Sequence, residues 1–441
     1  LLMPWIPHPP DFLSVFADFL QGSTPGEVAR LGEISPVIDG RYRHWQTVRH
    51  LDAPFGWTPE VHWIGLKFAR KQIYQDVPLR DTSGDSFRLA PIPVMNEMLH
   101  RIDMKVGGIL GTEESIAPPK QIVLSAGEQE AIASSQLEGA TTTRKVAQEM
   151  IRSGREPRSG GERMILDNYS AMQRVREWSG QALTPDLIRQ IHTRAVERTL
   201  SLNEQGTYRT NEDNIRIYDT KGEELFCPPD ADQIPERLER LCAFANQPSD
   251  ADPFIHPVVR SVILHFWLAY VHPFIDGNGR TARLLFYWSM LRHGYWLAEY
   301  VAISVELKKA SGRYRDSFLY TETDENDLTY FVLRQLDFFL GAVDRLEQYI
   351  DRRSKEIADI RAFLRQEQAS GKGLNDRQIA LMRHALRNRD ELYTIERHRQ
   401  RHGIVYQTAR TDLLGLAKRG LLIQSKQGRK LVFRSAENLD S

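Results

Sequence analysis

The chain has 441 residues, and its 58 Lys and Arg balance its 58 Asp and Glu, so that the formal net charge is zero. This balance excludes a surface that is basic throughout, so that any part binding nucleic acid is expected to be a local module. With 41% hydrophobic and 26% charged residues, the composition is that of a globular protein of about three domains. The two cysteines, Cys227 and Cys242, exclude a disulfide framework and are expected to be small buried side chains.

The chain lacks the signals of membrane insertion and export. No stretch approaches about 18 uninterrupted apolar residues, so no membrane span is predicted. The first residues have neither a basic segment nor a long apolar one, so no signal peptide is predicted. We therefore expect a cytoplasmic protein.

The N-terminal residues 1–110 are predicted to form a helical region. Residues 1–40 are rich in Pro and Gly and are expected to lie over a surface. Helices are predicted near 59–75 and 92–106, with a polar turn at 81–85 between them. The function of this region is left open, between a packing surface and a surface that docks a target.

From about residue 122 to 350, apolar residues recur at helical spacing, which predicts a mainly α fold. One helix is expected over 128–137 and stops at Gly139, and another follows from Thr143 to Ile151. Further helices are predicted over 163–178, 184–199, 233–245, 257–271, 279–293 and 328–364. Residues 206–230 alternate instead around Asp219–Gly222, which predicts a β-hairpin.

The segment 272–283 reads HPFIDGNGRTAR and lies between two long apolar runs, so it is expected to join two buried helices. Glycines ahead of a helix let backbone N–H groups converge on an anion, and Arg280 and Arg283 in the first helical turn add positive charge. Asp276 is an oxygen ligand suited to Mg²⁺ shared with phosphates, and His272 accepts a proton near neutral pH. Together they predict a site for phosphoryl or nucleotidyl transfer.

Each part of this segment has a plainer explanation. Asp276 on its own is compatible with a helix N-cap, and His272 with a satisfied core histidine. A metal site on His265 and His272 lacks a third ligand. Residues 277–282 also fit the dinucleotide fingerprint G-x-G-x-x-A, but that fingerprint needs a preceding strand and repeated βαβ units, whereas helices flank this segment.

Residues 272–283 resemble the Fic (filamentation induced by cAMP) domain family, because they match its motif HxFx[DE]GNGRxxR at every specified position. The resemblance covers roughly residues 120–345, and we assign 111–345 to a Fic domain. It implies a helical Fic fold with a β-hairpin flap. It also implies AMPylation, the transfer of AMP from ATP to a Ser, Thr or Tyr hydroxyl of a target protein or of the chain itself.

The resemblance also implies roles for single residues. His272 deprotonates the attacking hydroxyl, Asp276 holds Mg²⁺ against the phosphates, and Phe274 fixes the loop. The phosphate contacts are assigned to the backbone of Gly277, Asn278 and Gly279, to the Asn278 side chain, and to Arg280 and Arg283. The adenosine contacts are assigned to Tyr314 and Asn326, and the flap residues that clamp the target to Ile217, Leu225 and Phe226. A surface hairpin without a role is the alternative to the flap.

Residues 134–139, SSQLEG, fit the family's inhibitory motif [ST]xxxE[GN] and precede the Fic core, the arrangement called class II. In a helix Ser134 and Glu138 share a face. The resemblance implies that Glu138, on a helix near 125–139, pairs with Arg283 and withholds it from the γ-phosphate. A solvated helix end is the plain alternative. In some members the same carboxylate supports removal of AMP, so the direction of the reaction stays open.

A hinge at 371–373 is predicted to lead, after a connecting helix and linker over 346–373, into a basic unit at 374–441. Three helices, near 374–386, from Thr394 and over 406–419, precede two strands that flank Gly428 and Arg429. This order resembles a winged helix-turn-helix. The expected recognition helix carries Tyr406, Gln407, Thr408 and Arg410, and the expected wing Lys426, Arg429 and Lys430. DNA binding and a protein-contact role are equal alternatives for this unit.

Two rival functions remain beside an autoinhibited AMP transferase. One is the same fold with another donor, because Fic relatives can transfer phosphate or phosphocholine, although the complete GNGRxxR favours an ATP-sized triphosphate. The other is a nucleotide-sensing regulator that binds DNA through its C-terminal unit. The target protein and the oligomeric state, a homodimer included, stay open.

Overall fold

The computed structural model describes residues 6–106, 120–218, 222–248, 250–369, 373–387, 391–427 and 430–436. The chain divides into two compact units, residues 1–346 and 347–441. The predicted N-terminal region and the predicted Fic domain therefore share one unit. The predicted boundary between them, at 110/111, lies outside the described residues, as do Gly371 and Lys372 of the predicted hinge.

The fold is mainly helical, as predicted. The helices are α1 (Phe12–Gly22), α2 (Pro25–Ala29), α3 (Trp45–Val48), α4 (Pro59–Lys71), α5 (Pro93–Val106), α6 (Lys120–Leu137), α7 (Arg144–Ser153), α8 (Gly160–Met172), α9 (Val175–Ser179), α10 (Pro185–Val196), α11 (Ile234–Ala245), α12 (Pro257–Val271), α13 (Asn278–Arg292), α14 (Ile303–Lys309), α15 (Ser311–Thr323), α16 (Thr329–Ala369), α17 (Asp376–Arg387), α18 (Ile395–His402) and α19 (Tyr406–Lys418). The strands are β1 (Gln75–Arg80), β2 (Ser86–Leu89), β3 (Ile217–Tyr218), β4 (Glu224–Phe226), β5 (Tyr393–Thr394), β6 (Leu422–Gln427) and β7 (Lys430–Ser435).

The N-terminal region differs most from the sequence-based expectation. Residues 12–29, which were expected only to cover a surface, form α1 and α2, capped by the side chains of Asp11 and Thr24. The helix predicted to reach residue 75 ends at Lys71, and β1 follows and pairs antiparallel with β2 across the predicted polar turn. Pro78 lies inside β1, and a proline argues against a strand when only the sequence is read.

Helices α12 and α13 form the centre of the first unit. Both are buried on every side, which explains why their sequences are apolar runs rather than amphipathic stripes. The predicted bounds, 257–271 and 279–293, agree with the observed helices to one residue. The segment that joins them, residues 272–283, which we call the anion loop, is thereby held between two rigid elements.

A buried polar network ties the N-terminal region to the segment before α16. The ammonium of Lys67 lies 2.8 Å from Oδ1 of Asp324, and both side chains are 1% exposed. The hydroxyls of Tyr42 and Tyr74 donate to Oδ2 of Asp327 at 2.5 and 2.8 Å. Because buried carboxylates need such partners, residues from α4 and its flanks complete the fold of the segment 324–327.

The predicted β-hairpin within 206–230 is confirmed as β3 and β4, in which Ile217 is opposite Phe226 and Tyr218 opposite Glu224. Residues 219–221 of its predicted turn, Asp219–Gly222, lie outside the described residues. In the part of the chain that the structure describes, no helix is both long and apolar enough to cross a membrane. Cys242 is buried, and burial raises the pKa of its thiol to about 12.

The second unit contains the three predicted helices and a sheet in the order β5–β7–β6. Thr394 caps α18 as expected, because its hydroxyl accepts from the N–H of Arg397 at 3.2 Å. Residues Tyr393 and Thr394 also form β5 opposite β7, a third strand where two were predicted. A strand of two residues is too short to give a sequence pattern. Gly428 and Arg429 of the predicted wing lie outside the described residues.

Candidate active site

The backbone of the anion loop is set by two left-handed residues. Helix α12 ends at Val271, and His272 takes the left-handed cap conformation (φ 49°, ψ 58°), with its N–H donating to the carbonyl of Leu268 at 3.0 Å. Gly277 (φ 81°) then precedes α13. A side chain at Gly277 would be strained and would collide with Val196, since an added Cβ would lie 2.6 Å from its Cγ1. Gly277 is therefore required by both conformation and space.

The imidazole of His272 is poised as a neutral base. Its Nδ1 lies 3.2 Å from the carbonyl oxygen of Ala269. Because a carbonyl can only accept, Nδ1 carries the proton of the neutral ring and Nε2 keeps a free lone pair. Burial lowers the pKa of His272 below its ordinary value, against the smaller opposing effects of the Ala269 carbonyl and the carboxylate of Glu138. The ring is therefore neutral near pH 7 and able to take a proton.

Side chains within and next to the loop hold its shape. The amide of Asn278 forms two hydrogen bonds to the backbone of Phe274: its oxygen accepts from the N–H at 2.9 Å and its NH₂ donates to the carbonyl at 2.7 Å. Phe274 is fully buried, as expected of a residue that fixes the loop. The Asn278 side chain was expected to contact phosphate. It is instead occupied with holding the loop, so that the backbone N–H is what this residue offers to an anion.

Two residues that sequence reasoning missed also support the loop. Arg209 donates from Nε to the carbonyl of His272 at 2.8 Å and from its NH₂ groups to Pro229 and Val271. His192 stacks on the ring of Phe274 at 3.7 Å between centroids. Both lie more than 60 residues before the loop, so that their role follows only from the folded structure.

The tautomer of His192 is also defined. The N–H of Gly206 donates to its Nδ1 at 3.0 Å, so Nε2 carries the proton and donates to the carbonyl of Asp276 at 2.9 Å. Burial lowers the pKa of His192 to about 4. The ring is therefore neutral, and its two hydrogen bonds connect Gly206, in the chain before the flap, to Asp276 in the anion loop.

The first turn of α13 presents backbone donors. The N–H groups of Asn278, Gly279 and Arg280 have no acceptor among the described residues, as is usual at a helix start. Gly277 donates its N–H to Oδ1 of Asp276 at 2.6 Å. Three free N–H groups at the positive end of a fifteen-residue helix form a site suited to phosphate.

The two arginines of the loop differ in what they contact. Arg280 is fully buried and donates to the carbonyl of Ala195 at 2.7 Å and to Asp276 at 3.3 Å. Burial lowers its pKa. Its guanidinium is thus largely used inside the protein, and its assignment to a terminal phosphate stays a prediction.

Arg283 is bound by α6, on the face predicted from the sequence. Its Nε donates to Oγ of Ser134 at 2.8 Å, and its Nη2 donates to the Ser134 carbonyl at 3.1 Å and to Oε1 of Glu138 at 2.7 Å. Burial acts to lower the pKa of Arg283, but the Glu138 carboxylate and other neighbours raise it above the ordinary value. Arg283 stays charged, and Ser134 and Glu138 occupy the donors of its Nε and Nη2.

The carboxylate of Glu138 also occupies space over the helix start. A Cβ added to Gly279 would overlap Oε1 of Glu138 and would lie 3.1 Å from a terminal nitrogen of Arg283. Glu138, Arg283 and the free N–H groups therefore converge at one point. An anion on these N–H groups would meet the negative charge of Glu138 at close range.

Glu130, which sequence reasoning did not single out, fixes α6 to the core. Its carboxylate accepts from the N–H of Ser304 at 2.9 Å and from the Ser304 hydroxyl at 2.5 Å. Burial raises its pKa. Glu130, Ser134 and Glu138 are spaced by four residues. Glu130 and Ser134 share one face of α6, and Glu138 follows in the turn directly after the helix ends at Leu137, one turn beyond Ser134. This spacing is the signal that sequence reasoning could have used.

The residues predicted to contact adenosine lie in different surroundings. The hydroxyl of Tyr314 lies 2.8 Å from Nε2 of the buried His265, and Tyr314 is close enough to Arg283 to interact with it electrostatically. Asn326 donates its amide to Asp81 at 2.8 Å, and no described contact links it to the anion loop. The adenosine contact of Tyr314 stays a prediction with a favourable position, whereas that of Asn326 gains no support.

The flap residues are partly available. Leu225 is buried (5% exposed) and belongs to the core, whereas Ile217 and Phe226 are half-buried. The ring of Phe226 packs on Tyr270 at 5.1 Å between centroids. Of the three predicted flap residues, Ile217 and Phe226 are therefore the two that an incoming chain can reach.

No cluster of three or more His, Cys, Asp or Glu that could hold a metal ion occurs among the described residues. Asp276 offers a carboxylate that is 51% exposed and next to the free N–H groups. Mg²⁺ bound with phosphates commonly takes only one or two protein carboxylates. Asp276 therefore fits as the single protein ligand of a magnesium–phosphate complex.

A family model described as Fic/DOC family matches residues 182–290. The protein adenylyltransferase Fic of Nematostella vectensis is 29% identical over 212 residues, which cover 45% of this chain and 45% of that protein. The protein of the same name from Drosophila willistoni is 31% identical over 127 residues, or 28% and 24% of the two chains. The chain thus spans less than half the length of these curated relatives.

Among solved structures, a Fic family protein from Desulfovibrio desulfuricans G20 superposes with a TM-score of 0.52 at 18% identity. The superposition covers 79% of this chain and 98% of that one, and it concerns the fold alone. The matched segment 182–290 contains His192, the flap and the whole anion loop. Residues 182–290 of this chain therefore match the Fic/DOC family, and the fold around them resembles that of a solved Fic family protein.

Proposed function

We propose that this chain is a protein adenylyltransferase, which transfers AMP from ATP to a Ser, Thr or Tyr hydroxyl of a target protein or of itself. The observation that carries the proposal is the convergence of a neutral imidazole with a helix start whose N–H groups are free. The name of the Nematostella and Drosophila relatives, protein adenylyltransferase Fic, supports the same activity.

In the proposed reaction, the target hydroxyl attacks the α-phosphorus of ATP. A new O–P bond forms, the bond between the α-phosphorus and the bridging oxygen breaks, and pyrophosphate leaves with that oxygen. His272 takes the hydroxyl proton on Nε2, because Nδ1–H is engaged with Ala269. Such transfer depends mainly on position and charge neutralisation, which suits a rigid loop with few reactive groups.

The phosphates are proposed to lie on the free N–H groups of Asn278, Gly279 and Arg280. Arg283 would bind the terminal phosphate once Glu138 releases it. Asp276 would hold Mg²⁺, which when bound neutralises part of the phosphate charge. Ile217 and Phe226 would align the target by adding a strand to the flap.

We further propose that the chain is autoinhibited by Glu138. The pair with Arg283 removes a phosphate ligand, and the carboxylate lies over Gly279 where an anion would bind. Two negative groups at this point would repel each other in a site of low dielectric constant. Removal of AMP, with Glu138 orienting water, is a second direction for the same site.

The rivals gain no support from the structure or the relatives. No comparison points to DNA binding through residues 374–441 or to a homodimer, although Tyr406, Gln407 and Arg410 on α19 are exposed. A nucleotide-sensing DNA-binding regulator therefore stays an untested alternative, and cytoplasmic location stays a prediction.

Intact-mass measurement tests the proposal. Purified Glu138→Gly is incubated with ATP and Mg²⁺, alone and with a cell lysate whose proteins are followed with [α-³²P]ATP. We expect added AMP in Glu138→Gly and none in Glu138→Gly/His272→Ala. The double variant also lacks the inhibitory carboxylate of Glu138, but it has lost the base as well. Addition of a phosphate mass would favour the rival donor chemistry. A gel shift of genomic DNA without any labelling would favour the regulator.

A further inference from the structure

A cavity of about 630 Å³ lies against α6. Its walls come from three elements: α6 contributes Ile132 and Gln136, the start of α7 contributes Arg144, and α14 contributes Lys308 and Lys309. Small-molecule sites in proteins typically measure about 300–1,000 Å³. The cavity therefore has the size of a metabolite site.

The cavity faces the side of α6 opposite to Arg283. Residues in an α-helix are offset by about 100° each, so Gln136 lies roughly 200° around the helix from Ser134. Ser134 and Glu138 bind Arg283 on one face, and Gln136 lines the cavity on the other. One helix thus separates the cavity from the anion loop.

The charged residues that line the cavity are all cations: Arg144, Lys308 and Lys309. Lys308 donates to the amide oxygen of Gln136, and Lys309 lies 3.1 Å from Glu306. Arg144 is exposed and forms no hydrogen bond or ion pair with any described residue. The positive charge of the cavity wall is therefore greater than the negative charge of the acidic side chains that pair with it.

The surroundings of Glu306 strengthen this excess. Its carboxylate is shared between Lys309 and Arg345. Burial lowers the pKa of Arg345, and the positive charge of Arg144 lowers it further. Two cations thus share this one carboxylate, and neither Arg144 nor Lys308 forms an ion pair with an acidic side chain of the described residues. This excess of positive charge attracts an anion with several charged oxygens.

Part of the wall is apolar. Ile132, Ala133, Ala140 and Val305 line the cavity beside the cations. A ligand that fits both parts has an apolar or flat body and an anionic end. A phosphate-bearing metabolite has this chemistry.

We propose that this cavity binds a phosphate-bearing small molecule and that its binding stabilises the pair of Glu138 with Arg283. The second part rests on the proposed function of that pair as a brake. The cavity walls are α6, α7 and α14 in the arrangement in which the pair is formed. A ligand that binds one arrangement shifts the population toward it.

Gln136 provides the mechanical link. Its NH₂ donates to the carbonyl of Thr142 at 2.7 Å, and its oxygen accepts from Lys308. These contacts join the end of α6 to the segment just before α7 and to α14, and Gln136 lies two residues before Glu138. A ligand that bridges Arg144 and Lys308 fastens the same elements.

Lysine footprinting by mass spectrometry tests this inference, with inorganic pyrophosphate as the probe. The rate of acetylation of Lys309 is followed against pyrophosphate concentration in the full chain. Lys145, which is exposed on α7 and outside the cavity, is the internal control. We expect slower acetylation of Lys309 and an unchanged rate at Lys145. In Arg144→Ala, half-protection should need about tenfold more pyrophosphate, as expected when one charge-assisted contact is lost.

The coupling to the brake is measured with Glu138→Gly in the same assay. We expect half-protection of Lys309 to need several-fold more pyrophosphate, because linkage is reciprocal. Equal midpoints would refute the coupling, and an unchanged Lys309 rate, or equal slowing of Lys309 and Lys145, would refute the site. The readout is independent of AMP transfer, so loss of the proposed activity in Glu138→Gly would leave the Lys309 result standing.

Discussion

Substitution of Glu138 separates the two ways in which its carboxylate blocks the anion site. Glu138→Gln keeps the volume over Gly279 and removes the charge, whereas Glu138→Gly removes both. The lost contact is a charged hydrogen bond of 2.7 Å to an arginine that is 2% exposed. Such bonds contribute about 1.5–3 kcal/mol, which corresponds to about 10–100-fold in the population with Arg283 free.

Affinity for MgATP is the direct measure of this release, by isothermal titration in a His272→Ala background that prevents turnover. We expect the dissociation constant to fall by about tenfold or more in Glu138→Gln. It should fall further in Glu138→Gly, because the phosphates then reach the N–H of Gly279. The order shows whether charge or volume dominates.

Glu128→Gln is the matched control for this series. Glu128 lies on the same helix and pairs with Arg152 at 3.0 Å, away from Arg283. The chemical change is identical, and we expect unchanged MgATP affinity. If all four proteins bind MgATP equally, neither the charge nor the volume of Glu138 blocks the site and the brake is refuted.

Three further predictions concern the same loop. Ser134→Ala removes the acceptor of Arg283 Nε but leaves Glu138, so MgATP affinity should rise by only about fivefold, for about 1 kcal/mol; no change would mean that Glu138 alone holds Arg283. The transfer rate of Glu138→Gly should fall with decreasing pH at a midpoint below about 6.5, the ordinary pKa of histidine, because burial lowers the pKa of His272 and the base must be neutral; an acid limb centred above 6.5 in the pH profile would contradict this. Gly277→Ala should lower the free energy of unfolding in urea more than Gly154→Ala, because both glycines have positive φ but only Gly277 would also collide with Val196; Gly154→Ala should cost about 1–2 kcal/mol, and equal losses would remove the collision from the explanation.

The anion loop and α6 could be predicted from the sequence because the patterns that mark them involve residues close together in the chain. The apolar runs on both sides of 272–283 can only be buried helices, and the four-residue spacing of Ser134 and Glu138 places both on one face. The structure brings both residues onto Arg283 as the family resemblance implied. A motif of adjacent residues and a helical spacing can both be recognised without knowledge of the tertiary fold.

The supporting contacts could not be predicted in this way. His192 and Arg209 meet the loop only after folding, and nothing in their neighbouring residues marks them. A motif also identifies a residue without showing whether its side chain or its backbone N–H contacts the anion. The side chains of Asn278 and Arg280 were expected at phosphates, yet they bond to Phe274 and Ala195 and leave the backbone N–H groups for the anion.

The network of Lys67 and the two tyrosines has a practical consequence for anyone who wishes to isolate the part of the chain that contains the anion loop. A fragment starting after residue 110 would strip Asp324 of its ammonium partner and Asp327 of both hydroxyl donors. The cut would also expose these carboxylates to water and leave the segment 324–327 without the partners that hold it, and the free energy that usually keeps a domain folded is only about 5–15 kcal/mol. The first hundred residues are thus an integral part of the unit formed by residues 1–346, and we expect a chain trimmed of them to be unstable.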